Sequence, residues 1–289
     1  MKKIITLILM LCIVLSLASC GKVEITSQEI FDAGEREAML KNHQSVYVQE
    51  SMDGEVFDER YLTKDYAYIH YPGEKFDYAQ YMTEDASYVY NQGDYLCYLY
   101  VTSSGVTNDF ASDYADICAT GFTMNITSET IESVSEKDGR ITVNSFLGEE
   151  ALAELASEGL SAGRSEYVLD AKTRDLISVV SDYTYEDGTA FRVEVEVTFD
   201  AEAPELLKTL IEYANQTENL RNVTVVNNPG TEKEVSQSFG IPKGLIVGFS
   251  FGDDYADKVE FYTDAACTTA FDPYADTESD LTVYVKWAE

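Results

Sequence analysis

The chain has few of the residues on which most catalytic and metal sites depend. It contains two histidines, five cysteines and one tryptophan in 289 residues. Neither His43 nor His70 lies in an H-E-x-x-H motif, and the chain has no Cys-x-x-Cys pair and no Walker-type glycine loop. These absences remove the usual support for zinc-peptidase and nucleotide-binding activities. We therefore expect a protein that is not an enzyme, with no catalytic residues, no metal and no cofactor.

Basic residues are scarce as well. Twenty lysines and arginines face 52 aspartates and glutamates, which gives a formal charge of −32. Such a charge repels nucleic acid, so we expect no nucleic-acid partner. Two acidic clusters, at residues 253–257 and 272–280, raise the alternative of a cation-binding surface. Neither has the ligand spacing of an EF-hand loop, and solvated loops are the simpler interpretation.

One long hydrophobic run is present, at the start of the chain. Lys2 and Lys3 precede an apolar stretch, Ile4–Leu17, that is too short to span a bilayer comfortably. The run ends in Leu17-Ala18-Ser19-Cys20, which resembles the lipobox of bacterial lipoproteins. That resemblance implies cleavage before Cys20 and a diacylglyceryl thioether on its sulfur, with a gross anchoring energy of about 20 kcal/mol from two acyl chains. The alternative is an ordinary secretory signal with a chance cysteine.

Three cysteines remain after Cys20, and they define no disulfide framework. Export permits disulfides, so Cys97 and Cys118 can pair and leave Cys267 free. Buried free thiols are an equal alternative.

Apolar residues with a period of two dominate the chain from residue 46 onward. Asp-Gly turns at Asp53-Gly54 and Asp138-Gly139 predict hairpins, and Phe191 to Phe199 alternates cleanly between apolar and polar residues. The order of elements from Thr26 to about Asn219 resembles the lipoprotein-carrier fold, similar to outer-membrane lipoprotein localisation factors. The resemblance implies a half-closed sheet around helices, with an apolar cavity that binds a lipid or another amphipathic ligand.

The C-terminal segment has a second resemblance, to the Listeria–Bacteroides repeat of bacterial surface proteins. It rests on Phe261-Tyr262-Thr263-Asp264, Cys267-Thr268-Thr269, Phe271-Asp272 and the ending Leu281-Thr282-Val283-Tyr284-Val285-Lys286-Trp287. The usual Gly-Trp before the tyrosine is replaced by Glu260-Phe261, and the chain carries one copy of a repeat that is usually tandem. The resemblance implies a β-grasp-like module that takes part in surface display or interaction.

Twelve of the 21 tyrosines fall between Tyr47 and Tyr100. Tyrosine suits strands and half-wet surfaces, because its ring is apolar and its tip is polar. Several strands carry aromatic or apolar residues on both faces, so that one face can cover the core and the other can line a concave ligand site. The alternative is that helices cover this second face. The predicted ligand-binding residues are Tyr66, Tyr68, Tyr88, Tyr90, Tyr98 and Tyr100.

These observations predict an α+β fold, with a curved antiparallel β-meander packed on helices and a small β-grasp-like C-terminal module. The predicted domains are a lipoprotein signal peptide at 1–19, a lipidated N-terminus and tether at 20–25, a carrier-like domain at 26–219 and the repeat-like module at 220–289. The predicted location is the extracytoplasmic side of the cell envelope.

The predicted function is non-catalytic binding of an amphipathic or lipid ligand in the concave sheet, with the acylated Cys20 holding the protein to the membrane. One alternative is a surface interaction or adhesion protein that binds a surface protein or glycan through the C-terminal module. A lower alternative is an envelope glycoside hydrolase, which would need two carboxylates facing each other in a cleft.

Overall fold

The computed structural model describes residues 23–102, 104–107, 109–118, 123, 126–155, 159–251 and 259–287. The predicted signal peptide, the predicted lipid attachment at Cys20 and the acidic cluster at 253–257 lie outside these residues. Contacts divide the chain into unit 1, formed by Met1–Gly34 and Gly121–Glu194, and unit 2, formed by Glu35–Thr120 and Val195–Glu289. The predicted domain boundary near residue 219 stays a prediction.

The described residues form five helices and seventeen strands. The helices are α1 (Ser27–Gly34), α2 (Arg36–Met39), α3 (Ala111–Cys118), α4 (Glu149–Leu155) and α5 (Glu205–Ala214). The strands before residue 150 are β1 (Ser45–Met52), β2 (Glu55–Thr63), β3 (Ala67–Tyr71), β4 (Tyr78–Met82), β5 (Ser87–Asn91), β6 (Asp94–Thr102), β7 (Gly105–Thr107), β8 (Ile131–Lys137) and β9 (Arg140–Phe146). The later strands are β10 (Leu160–Asp170), β11 (Leu176–Tyr185), β12 (Ala190–Phe199), β13 (Leu220–Asn227), β14 (Val235–Pro242), β15 (Ile246–Ser250), β16 (Val259–Tyr262) and β17 (Leu281–Trp287).

The predicted α+β class is wrong. The chain is mostly antiparallel β-sheet, with 50% strand and 14% helix. The five helices of the described residues are short, since the longest has ten residues. Helices of this length depend on packing for their stability, so they cover parts of sheets and do not form a layer of their own. The sheets, and not a layer of helices, therefore define the architecture.

The meander of unit 2 follows directly from its turns. Strands β1 to β6 pair antiparallel with their sequence neighbours. Asp53 and Gly54 both adopt positive φ in the first hairpin turn, the conformation that an Asp-Gly pair favours. Strand β15 then adds to the last meander strand, β6, in parallel register, with Ile246 opposite Leu96. A strand from the C-terminal segment therefore belongs to the meander sheet.

The remaining strands of the C-terminal segment form a four-stranded sheet in the order β14-β13-β17-β16, in which β13 and β17 are parallel. This sheet packs on the β6 end of the meander, within unit 2. Val223, Val225 and Val285 are fully buried in the shared core. The side-chain amide of Gln237 also pairs with the backbone of Val106, accepting from its N–H and donating to its carbonyl at 2.7 Å each. The C-terminal sheet is thus joined to the meander by apolar packing and by hydrogen bonds.

In unit 1, helix α1 begins with a capping box. The Glu29 carboxylate accepts from the Thr26 N–H at 2.8 Å, and the Thr26 hydroxyl accepts from the Glu29 N–H at 3.1 Å. Strands β8 to β11 follow one another as neighbours in the sheet, and β12 begins in this unit.

Cys97, Cys118 and Cys267 are free thiols, so the predicted alternative of a Cys97–Cys118 disulfide is wrong. Within the described residues, no helix is both long enough and apolar enough to cross a membrane.

Candidate functional site

The tyrosines of the meander fall on two opposite faces of its sheet. Across strands β2 to β6, the register places Tyr61, Tyr68, Tyr81, Tyr88 and Cys97 in one row. Since side chains alternate between faces along a strand, these residues define one face, which we call the tyrosine face. Leu96 and Tyr98, which neighbour Cys97 in the chain, point to the opposite face.

Four of the six predicted ligand-binding residues lie on the tyrosine face. These four are Tyr66, Tyr68, Tyr88 and Tyr90, and all of them belong to a cluster with Leu207 and Leu210 of helix α5. Both leucines are fully buried. Helix α5 thus covers this part of the face with the protein's own side chains, as the alternative in the sequence analysis foresaw.

The other two predicted residues are placed elsewhere. Tyr98 and Tyr100 alternate with Cys97 and Leu99, so they point away from the tyrosine face. Tyr100 packs edge-on against Phe110, with ring centroids 6.2 Å apart. The expectation of one shared ligand surface for all six tyrosines is therefore corrected, because the alternation along β6 separates these two from the other four.

A charged network lies within the tyrosine face. The Nδ1 atom of His70 is 2.6 Å from a Glu59 carboxylate oxygen, and its Nε2 atom is 2.9 Å from Asp77. Tyr47 donates its hydroxyl to Glu59. The hydrogen bond to Glu59 raises the pKa of His70, and the same bond lowers the pKa of Glu59. Among the described residues, the Tyr68 hydroxyl in this region is buried without a hydrogen-bond partner.

A second charged group consists of Glu50, Asp58 and Arg60. Arg60 contacts Asp58 at 3.0 Å and Glu50 at 3.8 Å. Desolvation raises the pKa of Glu50 to about 7. These are paired carboxylates of the kind that the hydrolase alternative requires, but an arginine is bound to both, and Asp58 is only 4% exposed. This arrangement is that of a structural ion cluster.

The sequence analysis missed one motif, Gly159-Leu160-Ser161-Ala162-Gly163, which matches the G-x-S-x-G pattern of serine hydrolases. That pattern requires a sharp strand-to-helix turn at the serine. Here Ser161 lies in strand β10, and its hydroxyl donates to the carbonyls of Thr184 and Tyr185 at 3.0 Å each. Neither histidine belongs to unit 1, in which Ser161 lies. The Ser161 hydroxyl therefore links strand β10 to strand β11 by hydrogen bonds.

A pocket with a largely apolar and aromatic lining lies at strand β15 of unit 2, and we call it the edge pocket. Its volume is about 550 Å³. Its aromatic and proline lining comprises Tyr98, Phe249, Phe261, Phe271, Pro273 and Tyr274, together with Tyr262. Among the described lining residues, Glu260 is the one that carries a charge. Apart from Tyr98, the sequence analysis did not predict these residues, because β15 joins β6 only in three dimensions.

The rings of the edge pocket pack on one another and leave an open side. Phe249 stacks on Phe261 with centroids 4.5 Å apart, and its ring is edge-on to Phe271 at 5.8 Å. Tyr274 is 60% exposed, the largest value among the large hydrophobic residues that the structure describes as exposed. The Tyr262 hydroxyl donates to Glu260 at 2.6 Å, which raises the pKa of Tyr262. The pocket thus has an aromatic wall and an open side.

Because Gly248 has no side chain, the ring of Tyr98 can form the inner wall of the edge pocket. A Cβ atom at this position would lie 2.7 Å from the ring of Tyr98, closer than a real contact allows. The ring of Tyr98 therefore lies directly on the β15 backbone. Desolvation raises the pKa of Tyr98, and Tyr274 adds to this effect.

A buried arginine fixes the loop that carries Pro273 and Tyr274. Arg221 is 1% exposed and donates to the backbone carbonyls of Asp276 at 2.7 Å and Leu245 at 2.9 Å. The Asp276 carboxylate in turn accepts from the N–H groups of Glu278 and Ser279. Arg221 thereby connects β13, the start of β15 and the loop at the mouth of the pocket.

Two other pockets differ in their chemistry. One, of about 370 Å³ in unit 1, is lined mainly by charged and polar side chains that include Glu132, Arg164, Asp182 and Arg192. The other, of about 540 Å³ in unit 2, adjoins Asp200, which holds His43 at 2.8 Å. Both have more polar than apolar lining, so the edge pocket is the better candidate for an apolar or amphipathic ligand.

No protein-family model matches the sequence, and no curated protein matches it. Among solved structures, the chain is similar to the Mycobacterium tuberculosis lipoprotein LppX, with 10% identity and a TM-score of 0.35 over 62% of this chain and 96% of that chain. It is also similar to a LolA superfamily protein from Nitrosomonas europaea, with 8% identity and a TM-score of 0.24 over 64% of this chain and 97% of that chain.

A third similar structure is MucB, with 14% identity and a TM-score of 0.26 over 64% of this chain and 62% of that chain. At such TM-scores the likeness carries no argument about function, so the proposals below rest on the chain's own geometry.

Proposed function

We propose that the protein is a lipid-anchored binding protein of the cell envelope, which holds an amphipathic ligand in the edge pocket without catalysing a reaction. The apolar part of the ligand packs against Phe249, Phe261 and Phe271. Its polar part faces the hydroxyl of Tyr274 at the open side.

The observation that carries this proposal is the composition of the pocket wall. Small-molecule sites are typically clefts of roughly 300–1,000 Å³, lined by apolar and aromatic side chains with few polar groups. The edge pocket, at about 550 Å³, has aromatic walls and one charged lining residue among those described. Binding in a cavity of this kind is favourable because it removes apolar surface of the ligand from water.

One feature of the sequence supports the proposed location, and another bears on the charge of the ligand. The Leu17-Ala18-Ser19-Cys20 segment supplies the proposed lipid anchor, with the body on the extracytoplasmic side. The formal charge of −32 disfavours an anionic ligand, so we propose that the polar part of the ligand is neutral or cationic.

The test places a large side chain in the pocket and leaves the buried core residues unchanged. Ala270 lines the pocket and is exposed, whereas Ala266 is exposed in the same segment but is not among the lining residues. In the soluble body that begins at Gly21, Ala270→Trp should lower the affinity for Nile red, a neutral apolar dye, by about tenfold. Ala266→Trp is the matched control and should leave the affinity unchanged. Equal binding by the two variants would overturn the proposal.

Native mass spectrometry of the same two variants gives a second measurement. We expect a co-purified ligand on the unmodified protein and on Ala266→Trp, and its loss from Ala270→Trp. A ligand that remains on Ala270→Trp would place the binding site elsewhere.

The location of the pocket also bears on the interaction alternative. Most of its lining residues belong to the C-terminal segment that the sequence analysis compared with a surface-protein repeat. An amphipathic ligand at this place can be a segment of another protein as well as a lipid.

A further inference from the structure

The edge pocket lies beyond the end of a sheet and not above one of its faces. Ile246 is opposite Leu96, and Val247 is opposite Cys97. Since neighbours in a strand point to opposite faces, the Leu96 and Ile246 side chains lie on one face and Val247 on the other. Leu96 and Ile246 line the pocket from one face, and the partly buried Phe249, which shares the face of Val247, lines it from the other. A cavity that touches both faces of β15 must extend around its outer edge.

The outer edge of β15 is unpaired among the strands that the structure describes. The strand has β6 on one side and ends the sheet order on the other. Alternate residues of an edge strand direct their N–H and C=O groups away from the sheet. These groups therefore face the region occupied by the pocket.

The sequence of β15 has none of the features that usually prevent another strand from pairing with an edge strand. Natural edge strands are usually protected by lysine, proline or a bulge. The run Ile246-Val247-Gly248-Phe249-Ser250 has no charge and no proline, and its pairing with β6 continues without a register shift. The edge thus keeps the properties that allow strand addition.

The geometry points to an extended peptide as the ligand, which adds to β15 as a further strand. Its backbone pairs with the open edge, and its alternate side chains occupy the aromatic pocket on either side of the sheet. This mode of recognition takes affinity from main-chain hydrogen bonds and specificity from pockets for alternate side chains. The inference rests on the proposed function and names the class of the amphipathic ligand.

Charge determines which peptide fits. The protein carries a formal charge of −32, and Glu260 is the charged residue among the described lining residues. A second copy of the chain would bring an equal negative charge to the same edge and would be repelled. The partner is therefore an apolar segment with lysine or arginine beside its apolar residues.

The experiment measures peptide binding by the full chain in phosphatidylcholine nanodiscs, which carry no net charge. The probe is a fluorescent peptide of about ten residues, the length of a long strand, in which valine and lysine alternate. The matched probe has the same sequence, but every second backbone nitrogen is methylated. It has the same charge and cannot donate hydrogen bonds along that edge. We expect saturable binding of the first probe and a loss of about tenfold or more for the second.

Two pocket variants complete the design. Ala270→Trp should weaken binding of the unmethylated peptide by about tenfold, and Ala266→Trp should not change it. Equal binding of the two peptides would show charge attraction alone and would overturn the inference. So would peptide binding that Ala270→Trp leaves unchanged.

A third measurement, with a lipid in place of the peptide, distinguishes failure of the proposed function from failure of the peptide inference. Photoactivatable lysophosphatidylcholine is added to the same nanodiscs, and its attachment sites on the protein are mapped. If this lipid labels the edge pocket while the peptide does not bind, the proposed function stands and the inference fails. If neither the lipid, nor the peptide, nor Nile red binds there, both fail.

Discussion

The tyrosine face and the edge pocket are both rich in aromatic rings, and both lie in unit 2, but one is filled and the other is open. On the tyrosine face, Leu207 and Leu210 of α5 are fully buried against the rings. In the edge pocket, Phe249, Phe261 and Phe271 pack on one another, and Tyr274 remains 60% exposed.

A high density of aromatic residues does not by itself mark a binding site. A ring on a strand stabilises the core when another element covers it, and it is available to a ligand when nothing does. Here the covering element is α5, more than one hundred residues after the strands that it covers. If the two regions differ in this way, a change in either one should have distinct effects on stability and on binding.

The largest expected effect is that of Leu207→Ala. This change removes a fully buried side chain from the α5 contact and should lower the free energy of unfolding by about 3 kcal/mol. Urea denaturation measures the loss. Nile red binding should be unchanged while the protein remains folded. A loss below about 1 kcal/mol would mean that α5 does not cover the tyrosine face tightly.

Arg221→Met is expected to affect both stability and binding. It removes the hydrogen bonds to the carbonyls of Asp276 and Leu245 and should cost about 2 kcal/mol of unfolding free energy. It should also weaken dye binding, because the loop with Pro273 and Tyr274 loses its anchor. Arg164→Met is the matched control, since the Arg164 side chain is 74% exposed, and it should change neither quantity. Unchanged dye binding by Arg221→Met would show that another contact holds the loop.

The local parts of this structure could be predicted from the sequence. The capping box of α1, the Asp53-Gly54 hairpin and the apolar stripe of α5 depend on residues a few positions apart, and the structure contains all three. The fold class could not be predicted so well, because helix propensity does not reveal how short a packed helix will be. The candidate site depends on the pairing of β15 with β6, and no local pattern encodes a contact between such distant segments.

The charged network of the tyrosine face predicts a pH dependence that the edge pocket should not share. Contact with Glu59 raises the pKa of His70, so its stabilisation is complete below about pH 6.5 and is lost as the pH rises through the folded-state pKa. The pKa of Glu59 is lowered, so its contribution is lost at acid pH.

His70→Gln should therefore cost about 1–2 kcal/mol near pH 6 and much less near pH 9. Denaturation curves at the two pH values measure this. His43→Gln is the control and should have a smaller effect at both values, because its Asp200 partner is 54% exposed. A cost of His70→Gln that is the same at pH 6 and pH 9 would contradict the assignment.

The smallest effect on stability is expected for Tyr274→Ala. The ring is mostly exposed, so the free energy of unfolding should change by less than about 0.5 kcal/mol. Dye affinity should nevertheless fall several-fold, because the change removes one wall of the pocket. Phe76→Ala is the matched control, an aromatic ring that is 55% exposed and is not among the lining residues of the edge pocket. Equal dye affinities for the two variants would remove Tyr274 from the site.

The parallel pairing of β15 with β6 has a consequence for how the chain folds. About 150 residues separate Leu96 from Ile246, and a ribosome that adds about 5–20 residues per second needs roughly 10–30 s to make them. Throughout that interval the meander can form without its last strand, and the β6 edge is free to pair with the wrong segment. We expect premature release of the nascent chain before residue 246 to produce aggregates, and full-length chains to refold slowly, since this pairing closes a loop of about 150 residues.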